Sequence, residues 1–514
     1  MKKINKISFL IVLMVLIGVF SCSLDEELQD TLTKEQGEAF LTGSADIDAL
    51  LQSSYEGLHS PFQDQARFWM AQEHTTDEVI GPTRGGDWDD NGVWRVLHDH
   101  TWDADHSFLG DTFNDLLQVV FSTTNILTFD PSPQQAAEAI MLRAFVMFAV
   151  VDGWGQVPFR EPGENLLNPP TVLSGADAVD KVISDVQSVM DDLPDGPTYH
   201  CNKDAGKVLL MKAYLNRGAF ENRISPTFDA ADMNEVISLA NEIIASGKYQ
   251  IADNVYDNFA PNNDVISTEN IFTNQNIAGQ PAGSGNSVRS RWFCTLHYNQ
   301  NPSGWNGFTT IADFYDKFDP NDERLSADYT GQTDVSGIKM GLLLGQQYDQ
   351  NGTALQDRKG NPLAFTKEVK LIETDNNLEI TGIRVIKYPI DYASGDNVDN
   401  DAVLYRYSDV LLMKAEAILR GGTDPNGQTP LELVNSIRAK RGVDPLANVD
   451  LDILLDERGF ELYWEGHRRQ DLIRFGKFLD AYTLKPASGT ERLLFAIPST
   501  ALAVNPNLQQ NPGY

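Results

Sequence analysis

Residues 457–475, E-R-G-F-E-L-Y-W-E-G-H-R-R-Q-D-L-I-R-F, are the stretch from which the fold is read. Glu457, Glu461 and Glu465 recur every four residues, so on a helix they line one face. Arg458, Arg468, Arg469 and Arg474 lie in the same stretch with Asp471, which sets four acids against four guanidinium groups. In a chain whose formal net charge is −33, that local balance predicts pairing among these groups themselves. Gly466 interrupts the helical spacing and Leu472, Ile473 and Phe475 resume it, which predicts helix, tight corner, helix. An acid/base role for the carboxylates, or a general-base role for His467, is the weaker reading, because arginine–carboxylate pairing is the commoner fate of such clusters.

Working outward, residues 404–419 and 429–441 carry helical spacing upstream of the corner. Further helices are predicted over 44–58, 107–129, 133–151, 174–193, 204–220 and 233–246, the last stopped by Gly247. Between 251 and 400 the pattern changes to Asn, Gly, Asp, Ser and aromatics with few periodic segments. An insertion of that length is expected to be functional or to carry short strands. No Pro/Gly/Ser linker separates independent cores. The expected fold class is therefore mainly α: a single domain of tetratricopeptide-like helix pairs, helical over 44–250 and 401–514, with a loop-rich insertion at 251–400 carrying few short strands.

Several stretches together resemble one family. They are E-R-x-x-E-L-x-x-E-G-H-R-x-x-D-L-x-R-x-G from Glu457, A-I-M-L-R-A-F-V-M-F-A-V-V-D-G-W-G-Q-V-P at 139–158, A-N-E-I-I-A-S-G-K-Y at 240–249, F-Y-D-K-F-D-P-N-D-E-R-L at 314–325, L-Y-R-Y-S-D-V-L-L-M-K-A-E-A-I-L at 404–419, and the ending F-A-I-P-S-T-A-L-A-V-N-P-N-L-Q-Q-N-P-G-Y. Glu323 stands where the family has proline. In this order they resemble the SusD/RagB family of Bacteroidetes nutrient-uptake systems. The resemblance implies a surface glycan-binding lipoprotein with no catalytic residues and no cofactor, an oligosaccharide or polysaccharide as ligand, and a TonB-dependent, SusC-like outer-membrane transporter as partner.

Lys2, Lys3 and Lys6 precede an apolar run over 7–20, followed by Ser21-Cys22. This is a basic region and a core too short for a comfortable membrane span, so 1–21 reads as an export leader. Cys22 resembles a lipoprotein processing site and is the expected lipidation residue, with ordinary secretion as the alternative. Asp25, Glu26 and Glu27 open a tether over 22–43 and resemble the acidic signal for the outer face of the outer membrane, where the fatty anchor would hold the 44–514 body at the cell exterior. Losing the three leader lysines takes the net charge from −33 to about −36, which argues against nucleic acid and anionic lipid as partners. Cys201 and Cys294 are the only other cysteines, so no disulfide framework is available and core burial must hold the fold.

A sugar ring offers flat C–H faces and a rim of hydroxyls, so its site needs exposed aromatic rings beside polar side chains. Residues 84–105, R-G-G-D-W-D-D-N-G-V-W-R-V-L-H-D-H-T-W-D-A-D, hold three of the eight tryptophans and no convincing helical period. Trp88 with Arg84, Asp87 and Asn91 is the first candidate group, joined by Trp94. Trp292, Tyr298 and Trp305, with Asn299, Gln300 and Asn306 nearby, form a second group as a possible opposite wall. The competing expectation is that these rings simply pack the loop onto the helices. The run D-x-D-x-N-G at 87–92 matches half of a calcium loop, but its twelfth position is His98 rather than glutamate, so no metal site is assigned. Metalloprotease, nucleophile-elbow and phosphate-loop motifs do not occur. The alternatives to a binder are a cell-surface glycoside hydrolase, for which 73 acids supply carboxylate pairs, and a structural transporter subunit that binds no sugar.

Overall fold

A computed structural model describes residues 45–514 except 282–286 and 375–377. The leader 1–21, Cys22 and the tether to residue 43 lie outside the described residues. The first half of the body carries α1 (Ile47–Glu56), α2 (Phe68–Glu73), α3 (Val93–His98), α4 (Ser107–Ile126), α5 (Pro133–Trp154), α6 (Gly175–Val189), α7 (Lys203–Glu221) and α8 (Ala230–Ser246). The last part carries α9 (Tyr407–Leu419), α10 (Pro430–Arg438), α11 (Leu451–Leu462), α12 (Arg468–Arg474) and α13 (Ser499–Val504).

The long helices start where short polar side chains can accept their free N–H groups. Ser132 and Gln135 close a reciprocal capping box on α5, with Pro133 at its first position, and Gly155 ends it in the left-handed conformation at φ +72°. Thr429 and Glu432 build the same box on α10, while Asp229 and Gly247 bound α8. Almost every residue of α5 from Ala137 to Trp154 is buried, so its apolar side chains line all faces and neighbours cover it on all sides. From α4 to α8 each helix packs on the next; the chain then leaves for the insertion and returns in α9, which packs on α7, α8, α10 and α11. The expected mainly helical body of packed helix pairs is thus observed, with the insertion interrupting the series between its eighth and ninth helices.

Eight short strands matter for the site: β1 (Thr83–Arg84), β2 (Gln156–Phe159), β3 (Thr171–Ser174), β4 (Asn270–Asn274), β5 (Met340–Leu343), β6 (Ile372–Glu373), β7 (Arg384–Ile386) and β8 (Ala402–Arg406). They make small sheets: β1 runs parallel to β6, and antiparallel pairs join β2 to β3, β5 to β7, and β4 to β8. The insertion therefore does carry short strands, and the β4–β8 pair ties its two ends together. The main apolar core reaches from Leu51 to Leu508, each fully buried aliphatic or aromatic side chain contributing about 1.5–3 kcal/mol, and a small second cluster gathers Ile80, Ile311 and Val369. Cys201 and Cys294 are buried and free.

The corner forms as expected, with α11, Gly466 at φ +84° and then α12. The expectation that its charges pair mutually is corrected. Among the three glutamates of the row, Glu457 meets Arg324 and Arg438, Glu461 meets Arg324, Arg406 and Arg441, and Glu465 meets Arg406 and Lys387. Those partners come from the insertion, β8, the last residue of α10 and the segment after it. The arginines of the stretch turn the other way: Arg458 to Asp409 and Asp471, Arg468 to Asp77, and Arg474 to Glu416 and Asp471. Of the four acids only Asp471 finds its partners inside the stretch, in Arg458 and Arg474. The physical reason is that side chains four apart on one helix face point at whatever packs on that face, here the docked insertion. Burial would raise the Glu461 carboxyl, but Arg441 and Arg406 overcome it and hold the group well below the usual carboxylate range.

Candidate functional site

Two segments some 200 residues apart meet at the surface. Trp88 donates its indole N–H to the Trp305 carbonyl at 3.0 Å, and the two ring centres lie 6.0 Å apart. Half-buried Tyr298 donates its hydroxyl to Asp87 Oδ2 at 3.1 Å, and burial together with that carboxylate raises the phenol above its ordinary value of 10, keeping it a donor. The Arg358 guanidinium lies 3.9 Å over the Tyr298 ring and is fixed by Glu379 at 2.7 Å. Trp305 is 48% exposed, its ring seated edge-on against Phe293 with centres 4.3 Å apart. Exposed Asp87, Asn91 and Asn299 stand around these rings in the two segments.

The platform has a rigid underside. The Trp88 ring packs on Phe308 at 4.7 Å and Trp94 at 5.8 Å, and a Cβ on Gly307 would fall inside the indole, so only glycine fits beneath it. Trp88 itself has φ +60°, and Asp90, Asn91 and Asn306 have φ of +39°, +56° and +53°. Left-handed backbone on a bulky residue is costly and persists only where the surroundings enforce it. Arg84 supplies part of that enforcement: its guanidinium donates to the carbonyls of Gly307, Leu378 and Thr381. Burial lowers its pKa to about 10, so it remains charged at neutral pH.

The candidate residues thus divide. Trp88, Asp87, Tyr298 and Trp305 converge, and Asn91 is exposed next to them in the chain. Arg84, Trp94 and Trp292 are 3%, 2% and 3% exposed and offer no ring face or fork to solvent; Arg84 and Trp94 support the platform from within, and Trp292 belongs to the core. Trp102 is buried too, bonded to the Tyr514 hydroxyl at 2.6 Å. The expectation that 84–105 lacks helix is corrected by α3, which places Trp94 and Leu97 inward and lets Trp94 bond Asp90 Oδ2 at 2.7 Å. The half calcium loop is spent on side chains: Asp87 on Tyr298, Asp89 on Arg95 at 2.6 Å, and Asp90 on Trp94. Among the described residues no cluster of three or more His, Cys, Asp or Glu could hold a metal ion. Arg358 was not legible in the sequence, since no aromatic stands within six residues of it, and Phe308, three residues past Trp305, was passed over. The N-G-F triplet at 306–308 is the one signal that a ring was to be seated closely there. His467, weighed as a base, is drawn by burial down to a pKa of about 4 and lies at the corner, away from the platform.

Comparison with known proteins bears on the whole chain. A profile of the SusD family matches residues 239–514. The starch-binding protein SusD of Bacteroides thetaiotaomicron is 26% identical over 423 residues, covering 74% of this chain and 73% of its own, and the SusD-like protein P38 of Formosa agariphila is 24% identical over the full length of both. Among solved structures, a laminarin-binding SusD-like protein superposes with a TM-score of 0.68 at 21% identity over 91% of this chain and 99% of that one. The surface glycan-binding protein A of Bacteroides thetaiotaomicron in complex with laminarihexaose gives 0.64 at 19% identity, over 90% and 98%. At such identities the superpositions speak for the fold alone. Three of these four carry the names of binding proteins, and none carries that of an enzyme. Because the profile spans more than half of the chain, including the corner and every charged partner gathered by its glutamates from β4 onward, the chain belongs to the SusD family.

Proposed function

We propose that this protein captures a glycan at the cell surface on the platform made by Trp305, Trp88 and Tyr298, without cleaving it, and passes it to a SusC-like TonB-dependent outer-membrane transporter. In this reading 1–21 is removed, Cys22 carries the lipid, 22–43 is the tether and 44–514 is the binding body. The carrying observation is the meeting of two distant segments that set an exposed indole, a half-buried indole and a phenol beside Asp87 and Arg358. Flat rings serve the C–H faces of sugars, while the carboxylate and guanidinium serve hydroxyls on the rim. The names of the relatives make starch and laminarin oligosaccharides the first ligands to try. No helix among the described residues is long and apolar enough to cross a membrane.

Titration calorimetry of the 44–514 body against a glycan panel, run beside a reducing-end assay, tests the reading. Trp305→Ala is expected to weaken binding of the preferred glycan about tenfold, from the loss of roughly 1–1.5 kcal/mol of ring stacking, with an unchanged melting temperature. Unchanged affinity in that variant removes this platform as the site, and new reducing ends overturn capture in favour of hydrolysis. Absence of the transporter when the lipidated protein is captured from detergent-solubilised outer membranes refutes the hand-over step.

A further inference from the structure

Behind the corner, with the Phe308 ring between its Trp69 wall and Trp88, lies a cleft whose cavity volume is about 80 Å³. Its walls are largely apolar, with a ring set that includes Phe68 and Trp69 of α2, Phe145 and Phe148 of α5, Tyr405 of β8, and Trp464. Half-buried Phe62, Leu404 and Gln470 border the opening. The polar lining includes His467 and Glu465, the latter held by Arg406 and Lys387, and its groups are unequal in what they leave unused. Lys212 is held by Asp409 at 2.7 Å. Arg291 lies 4.1 Å over the Trp69 ring and donates to the Phe62 carbonyl and to Ser290 Oγ. On the acceptor side, Gln72 donates its amide N–H to Asp152 Oδ2 at 2.6 Å, which leaves Gln72 Oε1 and Asp152 Oδ1 without a hydrogen-bond partner, although both residues are 1% exposed. Arg469 stands 3.6 Å from Oδ2 and so balances the charge without filling Oδ1.

Buried acceptors of this kind are costly unless a donor reaches them. We infer that this cleft binds a second kind of ligand, a small aromatic ring bearing an O–H or N–H donor, which the Gln72 and Asp152 oxygens receive while the surrounding rings enclose its apolar body. A free sugar fits poorly, since each of its many hydroxyls would need a partner and the walls offer rings. The inference does not depend on the glycan reading, because none of the platform side chains lines this cleft.

The test uses the 44–514 body with phenol and indole as probes, toluene as a ring without a donor, and glucose as a donor-rich ring, read by ligand-observed NMR and calorimetry. Phenol is expected to bind about tenfold more tightly than toluene, the worth of one hydrogen bond to a charged acceptor. Gln72→Met should remove that preference. Ala149→Leu, which fills the cleft from α5 without touching the polar pair, should abolish binding of both rings, with a melting curve to confirm folding. Equal affinity for phenol and toluene, tighter binding of glucose, or no binding of any ring overturns the inference. So does phenol binding that survives Ala149→Leu.

Discussion

Replacing Glu461 by glutamine probes the charge cluster that docks the insertion. Oε1 of Glu461 accepts from Arg406 and Arg441, each at 2.8 Å, and Oε2 accepts from Arg324 and Arg441, each at 3.0 Å. Glutamine keeps one oxygen and turns an NH₂ toward guanidinium donors, so two of these four bonds become donor against donor and three arginines lose their shared charge. Breaking a buried pair of this kind costs about 3–5 kcal/mol. Unfolding entropy near 2.1 cal/mol/K per residue, over the 470 residues of the described span, comes to about 1 kcal/mol per degree. The melting temperature should therefore fall by about 3–5 °C in scanning calorimetry. Because the group is fully buried, the loss should be nearly the same in 0.05 and 0.5 M salt. A fall of less than 1 °C, or one that vanishes in high salt, refutes the claim that this carboxylate holds the insertion against the helices.

Other expectations follow from the same geometry. Gly307→Ala should tilt Trp88 off its seat and weaken glycan binding at least several-fold while the far-ultraviolet spectrum stays unchanged; wild-type affinity would show that the seat is not needed. Burial raises the Glu73 carboxyl to about 7 beside Glu78, so the folded protein keeps a proton there that the unfolded chain releases. The folded state is favoured by this site below about pH 4.5, and that advantage is lost as pH rises through 7, on the order of 2–4 kcal/mol. Glu73→Gln, which still accepts from the Gly466 N–H, should melt above wild type at pH 8 and level with it at pH 4.5. Equal offsets at the two pH values would sink this.

Helix positions were readable because α4, α6 and α8 each bury a stripe over three or more turns, and Gly247 marked where α8 stops. The partners of the glutamate row were not readable. Arg324 and Arg406 lie more than 50 residues from Glu461, and nothing local distinguishes them from surface arginines. Within 84–105 the aromatic richness singled out the segment, but α3 is only six residues long, too short for its period to show. Which indole faces water was therefore settled by tertiary packing: Trp88 rides above Phe308, and Trp94 lies beneath it. The pairing of the two aromatic groups across some 200 residues likewise depends on the insertion folding back.

The left-handed turns at Trp88, Asn91 and Asn306 bear on how fast the surface can work. Their conformation is enforced by Arg84 and Gly307 from below, so the rings are already set before any ligand arrives, and the protein has little freedom left to lose. On the proposed reading, nearly all the ordering on association falls to the flexible sugar chain. Short, stiff oligosaccharides should therefore gain affinity over longer floppy ones of equal contact, and encounter should be limited by diffusion and orientation with no slow rearrangement of the protein.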